Sequence, residues 1–471
     1  MTDTSNPDGL VRGLTLTHSI SLVIGTILGA GIFLKTAVVV QQVHSPYTTL
    51  AAWASAGFLS LAGALTYAEL GAMLPRAGGE YVFLRAAYGD LAAFLYGWMR
   101  VVIGGGGIAA LAVGFSTFLY SAVPGNQIWL VHRFKLGTQV VHWQFGSMQV
   151  TAVALIAVLS ILNCFRVRFG GRVQTVLTVT KVFTVILFIA AIFMFAKPPE
   201  QAAVYSAGRS GNTLAQFGAA MIAAVWTYNG WSYLPMVAGE VKKPGRNLPL
   251  ALIVGMSAIM LTYVLLNMAY FRAVPLEEIA TSNSTLYPNA PPVAIRAAST
   301  TLGSAGSKFV AVALMVSSIG ALHGVMLSVT RIPFAMARDG LFFHVFGVLG
   351  RSSRVPVWSV AIHACWASLL AVSGTFDQLT DMAVFSYWIF YALAAAAIFV
   401  LRRKMPDAAR PYKTLGYPVV PFLFVATSVW LLVSSLQSNM LESAVGLALM
   451  LLGVPLYLKF ARSPRANNLA R

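Results

Sequence analysis

Residues 25–33 read GTILGAGIF, three glycines and no charge at the centre of an apolar run that begins near Thr17. Inside a helix each glycine costs roughly 1 kcal/mol relative to alanine. A segment long enough to cross a bilayer tolerates that only where neighbours or water satisfy the backbone. Two readings are open. Gly25 and Gly29 have the four-residue spacing of tight helix packing, or the helix is interrupted at mid-depth.

The remainder of the chain sets the surroundings of this stretch. Of 471 residues, 58% are hydrophobic and 10% charged, and the mean hydropathy is +0.75. No water-soluble domain of this length has such a composition. Apolar stretches long enough for a hydrocarbon core of about 30 Å fall near 15–40, 50–74, 91–123, 148–165, 173–196, 213–239, 247–272, 306–336, 355–373, 380–401, 418–437 and 441–460. They are numbered here as spans 1 to 12. No linker divides them into soluble domains, so residues 1–471 read as one membrane domain. The proline-rich stretch 273–305 is too punctuated for a span and leaves room for short helices on the outer side.

A net charge of +18 points to nucleic acid in a soluble protein, but here it has another cause. Arg166, Arg168 and Arg172 share one loop; Lys242, Lys243 and Arg246 a second; Arg351 and Arg354 a third; Arg402, Arg403, Lys404, Arg410 and Lys413 a fourth. With an even number of spans these loops lie on the side of both termini, which the distribution of positive charge makes cytoplasmic. The bilayer, not nucleic acid, is the expected partner. Residues 1–12 lack the pattern of a cleaved signal, which leaves span 1 as the targeting signal. The two cysteines, Cys164 and Cys365, read as small buried hydrophobes with no disulfide framework.

A second interruption matches the first. AAVWTYNGWSYLP, residues 223–235, breaks span 6 with Gly230 about 200 residues after the break in span 1, and the long spans 3 and 8 are separated similarly. Five-span halves at about 15–196 and 213–401 account for this, with two further helices at about 418–460. An odd number of spans makes the halves inverted, and paired interruptions in such halves point to a transport site. The fold expected is therefore all-α, with helices 1 and 6 discontinuous.

A break exposes free N–H groups on one half-helix and free carbonyls on the other. The first suit a carboxylate, the second an ammonium or a metal ion. A ligand bearing both groups on one carbon, an α-amino acid, fits two facing breaks, and Gly29, Ala30 and Gly31 let an anion approach the amides. Lys181, two turns into span 5, needs an acceptor in the membrane. Either it reaches back to the basic loop or it donates to carbonyls freed at the span 1 break. His323 in span 8 is either hydrogen-bonded core or a cavity liner able to titrate. Trp226, beside the second break, is packing or gate. Glu69 and Glu240, at span ends, are expected to pair with nearby cations. VVIGGGGIAA at 101–110 lacks the Lys and Ser/Thr of a nucleotide-phosphate loop. No metal-ligand spacing and no catalytic polar cluster stands out, so neither cofactor nor enzyme chemistry is expected.

Several motifs together carry a resemblance: GTILGAGIF in span 1; AELGAMLPRAGGEYVFLRAAYG, 68–89; LNCFRVRFGGRVQTVLTVTK, 162–181; NGWSYLPMVAGEVKKPGRNLPLA, 229–251; RIPFAMARDGLF, 331–342; and RRKMPDAARPYK, 402–413. In this order the chain resembles the amino acid-polyamine-organocation superfamily, and within it the L-type amino acid transporters. The resemblance implies twelve spans, five-plus-five inverted repeats and alternating access. It places a substrate carboxylate at Ala30 and Gly31, its amine at the carbonyls of Ile27, Trp226, Thr227 and Asn229, and an aromatic gate at Trp226. Lys181 matches a lysine that stands where sodium-coupled cousins bind their ion, so sodium dependence is not expected.

Three departures bear on the substrate. Asn229 takes a position usually small in the L-type group, and His323 replaces an Asn of the span 8 pattern, which makes small or polar substrates better founded than large ones. Ser232 falls where arginine/agmatine antiporters carry a glutamate, which argues against that proton route. Residues 124–147 hold no cysteine, whereas eukaryotic light chains use one there to attach a glycoprotein, so a stand-alone protomer is expected. The resulting expectation is sodium-independent exchange of neutral L-amino acids in a prokaryotic inner membrane. Its rivals are a proton-coupled symporter using Lys181 or His323, and a non-transporting sensor.

Overall fold

The computed structural model describes residues 9–136, 139–199, 213–284, 286–288, 290–373, 376–438 and 440–461; most of the 197–212 loop lies outside them. The first crossing comprises α1 (Leu16–Ile27) and α2 (Gly31–Val43), followed by α3 (Pro46–Met73) and a short α4 (Glu80–Tyr88). Next come α5 (Asp90–Val102), α6 (Gly104–Ala122), α7 (Ser147–Asn163) and α8 (Val167–Phe195). The second half opens with α9 (Thr213–Thr227), α10 (Tyr233–Met236), α11 (Pro244–Ala273), α12 (Leu276–Ala280), α13 (Val293–Val329) and α14 (Arg331–Arg338). It continues through α15 (Val357–Ser373), α16 (Phe376–Lys404), α17 (Val419–Ser438), α18 (Met440–Leu451) and α19 (Gly453–Ala461).

Among the described residues eight helices are long and apolar enough to cross a membrane, nine if the bent pair α1–α2 counts as one, and three more apolar helices, Ser147–Asn163, Leu214–Thr227 and Val357–Ser373, are shorter. The outer face of α8 explains why only lipid can be the solvent: Val176, Val179, Phe183, Ile186 and Leu187 are all exposed on it, a stripe that would aggregate in water.

Two expectations need correction. The chain is not purely helical, because β1 (Ile128–Leu136) and β2 (Gln139–Gly146) pair antiparallel within the 124–147 loop. Their aromatic and β-branched content favours strands, and Trp143 Nε1 ties the hairpin to Val372 O at 2.8 Å, at the end of α15. Nor are both cysteines buried, since Cys365 is exposed and Cys164 half-buried. Length and hydropathy cannot tell the inner from the lipid-facing side of an all-apolar helix.

Several crossings are interrupted where the apolar runs imply continuous helices. Span 3 is divided at Ile103 between α5 and α6, and α18 is divided from α19 at Leu452. In α13 the backbone turns at Gly303, φ 69° and ψ −165°, a left-handed conformation that glycine adopts without a Cβ penalty. Its first residues, from Val293, therefore form a short helix of the 273–305 stretch, as does α12.

One end of the bundle is tied together by the quoted motifs. Leu14 forms a parallel bridge with Val241, through Leu14 N to Glu240 O at 2.9 Å and Lys242 N to Leu14 O at 2.8 Å. Glu240 takes both arms of Arg331, at 2.8 and 3.0 Å, both side chains buried. Gly78 N donates to Met236 O at 2.9 Å, and a Cβ on Gly79 would lie 3.0 Å from Met236 N. Arg85 pairs with Asp339 at 2.6 Å. Glu69 takes Arg402 at 2.9 and 2.7 Å and the Thr414 amide at 2.7 Å. Helix α10 and the segment before α1 are thus held from three sides.

Candidate functional site at two facing breaks

The first break is sharp. α1 ends at Ile27, Leu28 leaves helical geometry at φ −72° and ψ 73°, and α2 restarts at Gly31 at an angle of 41°. Gly31 and Ile32 open a new helix, so their amides have no intrahelical acceptor. The second break follows Thr227: the chain turns through 228–232 and resumes only as the four residues of α10 and a 3-10 turn at Ala238–Glu240.

The breaks touch. A Cβ on Gly230 would lie 2.8 Å from Ile27 N and 2.4 Å from Ile27 Cγ1; one on Gly31 would lie 2.8 Å from Trp226 Cζ3 and 2.9 Å from Thr227 Cγ2. Thr26 Oγ1 donates to Gly230 O at 3.1 Å. The remaining glycines of GTILGAGIF serve the other reading. Gly25 lies flush against Gln174 and Thr178 of α8, and Gly29 against Ala321 and Leu111. Tight packing and interruption therefore coexist in nine residues.

Between the breaks lies a cavity of about 30 Å³, room for one or two waters. Ile27, Gly29, Gly31, Trp226, Thr227 and Asn229 line it, with Thr26, Gly107, Leu111, Tyr233, Val325 and Tyr387. Ala30 is buried at the junction. So small a space does not hold an amino acid; admitting one requires the walls to separate.

The exposed carbonyls are already engaged. Tyr263 OH donates to Ile27 O at 2.7 Å or to Thr227 O at 3.2 Å, and Asn229 N to Trp226 O at 3.0 Å. Leu28 O accepts from Ser317 Oγ at 2.8 Å. Lys181 donates to Gly25 O, to Leu28 O at 2.8 Å and to Ser317 O at 3.4 Å. Its side chain is 1% exposed, which rules out its reaching the basic loop. It does not line the cavity; it braces the broken helix from behind.

His323 departs from its expected place. It is 1% exposed and does not line the cavity. Its Nδ1 lies 3.0 Å from Gln174 Oε1, an oxygen that can only accept, so the ring nitrogen donates. A helix position two residues before Val325, which does line the cavity, faces α8 instead; the mid-span location alone carried no information about direction. Asn229 is held by Tyr391 OH, 2.6 Å from its Oδ1.

Sequence reasoning missed Tyr263, Ser317, Gln174, Tyr233 and Tyr387. Only VVIGGGGIAA carried a signal: Gly107 lines the cavity, and a Cβ there would lie 3.6 Å from Tyr387 OH.

Beyond the cavity wall lies a buried polar cluster. Tyr391 OH also meets Ser232 Oγ at 3.0 Å. The Glu80 carboxyl faces Ser232 and accepts from Tyr96 OH at 2.9 Å. Arg100 lies with its guanidinium carbon 5.0 and 4.5 Å from the ring centres of Tyr233 and Tyr387. Glu80 is in the short helix α4, outside the crossings, and burial pushes its carboxyl up from 4.5 to about 7 despite the Arg100 charge.

Comparison with known proteins finds similarity along almost the whole chain. The serine/threonine exchanger SteT of Bacillus subtilis (strain 168) is 31% identical over 452 residues, covering 96% of this chain and 97% of the relative. The human cystine/glutamate transporter is 29% identical over 453 residues, 96% of this chain and 85% of the relative. Human large neutral amino acids transporter small subunit 2 is 28% identical over 458 residues, 95% and 80%. The amino acid permease family profile matches residues 14–456. A membrane-spanning chain with two facing helix breaks, matched from before the first crossing into the last, belongs to the amino acid permease family of the amino acid-polyamine-organocation superfamily.

Proposed function

We propose that this chain exchanges neutral L-amino acids across a membrane by alternating access, without sodium. The observation that carries the reading is the contact between the two breaks, where Gly230 lies against the main chain of Ile27 and Gly31 against Thr227 and Trp226. Amides at Gly31 and Ile32 suit a carboxylate, and the carbonyls of Ile27, Trp226 and Thr227 suit an ammonium once the Tyr263 hydroxyl and the Asn229 amide give way. Thr26, Thr227, Asn229, Tyr233 and Tyr387 place polar atoms in a wall that is otherwise mostly apolar, which favours small hydroxylated side chains. The name of the serine/threonine exchanger points the same way.

The three shorter apolar helices complete twelve crossings in this reading, with both termini cytoplasmic. Its inverted halves are supported by the packing of α3 on α11 and of α6 on α13, each element on its counterpart in the other half, and of α2 in span 1 on α9 in span 6. Lys181 takes the place of a coupling ion, holding the carbonyls of the broken helix. His323 acts through Gln174 rather than on the substrate. A single chain in a prokaryotic inner membrane suffices for the cycle.

Counter-flow tests the reading. Vesicles preloaded with unlabelled serine take up labelled serine faster than empty vesicles, in the absence of sodium. Equal uptake into empty vesicles rejects exchange, and binding without any flux makes the protein a sensor. One observation favours a second reading, proton-coupled uptake. The position where a carboxylate was missing, Ser232, has the Glu80 carboxyl beside it, titrating at about 7. Accumulation driven by a pH gradient and lost in Glu80→Gln decides for that route.

A further inference from the structure

A second cavity, of about 890 Å³, opens on the tied end of the bundle and shares no lining residue with the first. Six cations line it: Arg12, Arg166, Arg168, Lys242, Lys243 and Arg354. They come from four separated stretches, namely the segment before α1, the α7–α8 connection, the turn before α11 and the loop before α15. Ser352 and Ser353 add hydroxyls, and among the described residues no carboxylate lines the cavity. The acid nearest in sequence, Glu240, is committed to Arg331.

Topology requires basic loops, but not that they converge. Cations that only touch headgroups spread along the interface, each free to relax. Here six like charges from separate stretches line one open cavity, five of them exposed and Arg12 half-buried, and their mutual repulsion opposes that convergence. Two of them, Lys243 and Arg354, have left-handed backbones at φ 46° and 55°, a conformation that only one other described non-glycine residue adopts. Arg12 Nε is buried without a hydrogen-bond partner. Arg166 alone has its side chain fixed from within the cavity wall, with Nε donating to Ser352 O at 3.2 Å.

We propose that this cavity binds a phosphate-bearing anion, either an acidic lipid headgroup or a soluble phosphate, and that the bound anion fastens the segment before α1 to the loops around it. Guanidinium forks suit phosphate oxygens in pairs, and the two lysines add compact charge. Arg12 precedes the Leu14–Val241 bridge by two residues and Lys242 follows it directly. An anion shared by Arg12, Lys242, Arg168 and Arg354 therefore reinforces that bridge, and leaving this face open requires releasing it.

The test uses the full-length protein and needs no transport. In neutral detergent, inorganic pyrophosphate raises the unfolding midpoint by about 3 °C or more beyond sodium chloride of equal ionic strength, as a ligand of the folded state does. In parallel, phosphatidylcholine nanodiscs with and without phosphatidylglycerol are compared. Protection by phosphatidylglycerol alone assigns the site to a lipid headgroup, and protection by pyrophosphate in detergent assigns it to a soluble phosphate. Arg168→Gln and Arg354→Gln each remove the protection. Arg354→Lys retains most of it, and Arg403→Gln, an exposed cation outside the cavity, leaves it unchanged. The proposal is overturned if neither probe exceeds matched salt, or if Arg403→Gln weakens the effect as much as Arg354→Gln does.

Discussion

Lys181 in α8 and Arg100 in α5 are 1% and 0% exposed, and the fold holds these two buried cations in opposite ways. Lys181 donates only to main-chain carbonyls, those of Gly25, Leu28 and Ser317. Arg100 has aromatic faces on Tyr233 and Tyr387, a long contact of 3.8 Å to Met236 Sδ, and Nε and Nη1 without partners. The Glu80 carboxylate supplies its counter-charge. An interrupted helix offers fixed carbonyl dipoles that surround a point charge as water does, so no acid is needed. Arg100, in the last turn of α5, reaches no carbonyl, and its guanidinium depends on rings, which attract a cation without consuming its donors. The first arrangement is complete and rigid; the second retains unspent hydrogen-bonding capacity beside the cavity wall.

That contrast is open to attack. Lys181→Ala carries the largest expected effect. Three buried carbonyls lose a charged donor worth about 1.5–3 kcal/mol, and counter-flow falls by about tenfold or more; near-normal flux would reduce Lys181 to filling. Lys181→Arg does not rescue it, because a planar fork cannot take the place of one ammonium among three carbonyls.

Gly31→Ala comes next. The added methyl meets Trp226 and Thr227 inside ordinary contact distance, an overpacking of about 1–2 kcal/mol. Serine-induced thermal stabilisation then requires about tenfold more serine, while the midpoint without serine moves little. Equal serine response in wild type and variant would show that the breaks do not need to touch.

Arg100→Met strands the buried Glu80 carboxylate and lowers the unfolding midpoint by several degrees. Adding Glu80→Gln restores most of that loss, because the pair is then removed together. If the double variant is no better than the single one, the two groups are not coupled and Arg100 is held by its rings alone.

The smallest effect is a pH dependence. The Glu80 carboxyl titrates at about 7 in the folded protein against an ordinary 4.5, so the folded state binds the extra proton between those values. Its contribution to stability is full below pH 4.5, is lost as the pH rises to about 7, and is flat above. Wild type therefore unfolds more easily at pH 7.5 than at pH 5 by an amount that Glu80→Gln removes. An unchanged pH profile in Glu80→Gln places the titration elsewhere.

How much of this was legible beforehand differs by level. The apolar runs located the crossings, because hydropathy over about 20 residues is a property of the segment alone. Both breaks were legible as well, since glycine and its neighbours act locally on the backbone. Direction was not. His323 and Lys181 are both polar residues in mid-span, yet one pairs with Gln174 and the other with a broken helix. Tyr263, whose hydroxyl reaches two freed carbonyls, is one aromatic among many in a helix of apolar residues. The hairpin at 128–146 was lost because a polar stretch between spans carries no length signal. Glu80 was visible within a quoted motif, but nothing in the chain brings residue 80 beside residue 232 until α4 folds against α10.

Gly230 and Ile27 meet main chain to main chain, so neither locus has a side chain free to vary. If the breaks hold the head of the cargo as proposed, that clamp is fixed by geometry, and diversification has to happen on the opposite wall. Gly107, Leu111, Tyr233, Val325 and Tyr387 come from four other helices and can change one at a time. Retuning the protein for a new cargo begins with those five positions, and a library spent on GTILGAGIF would return mostly broken clamps.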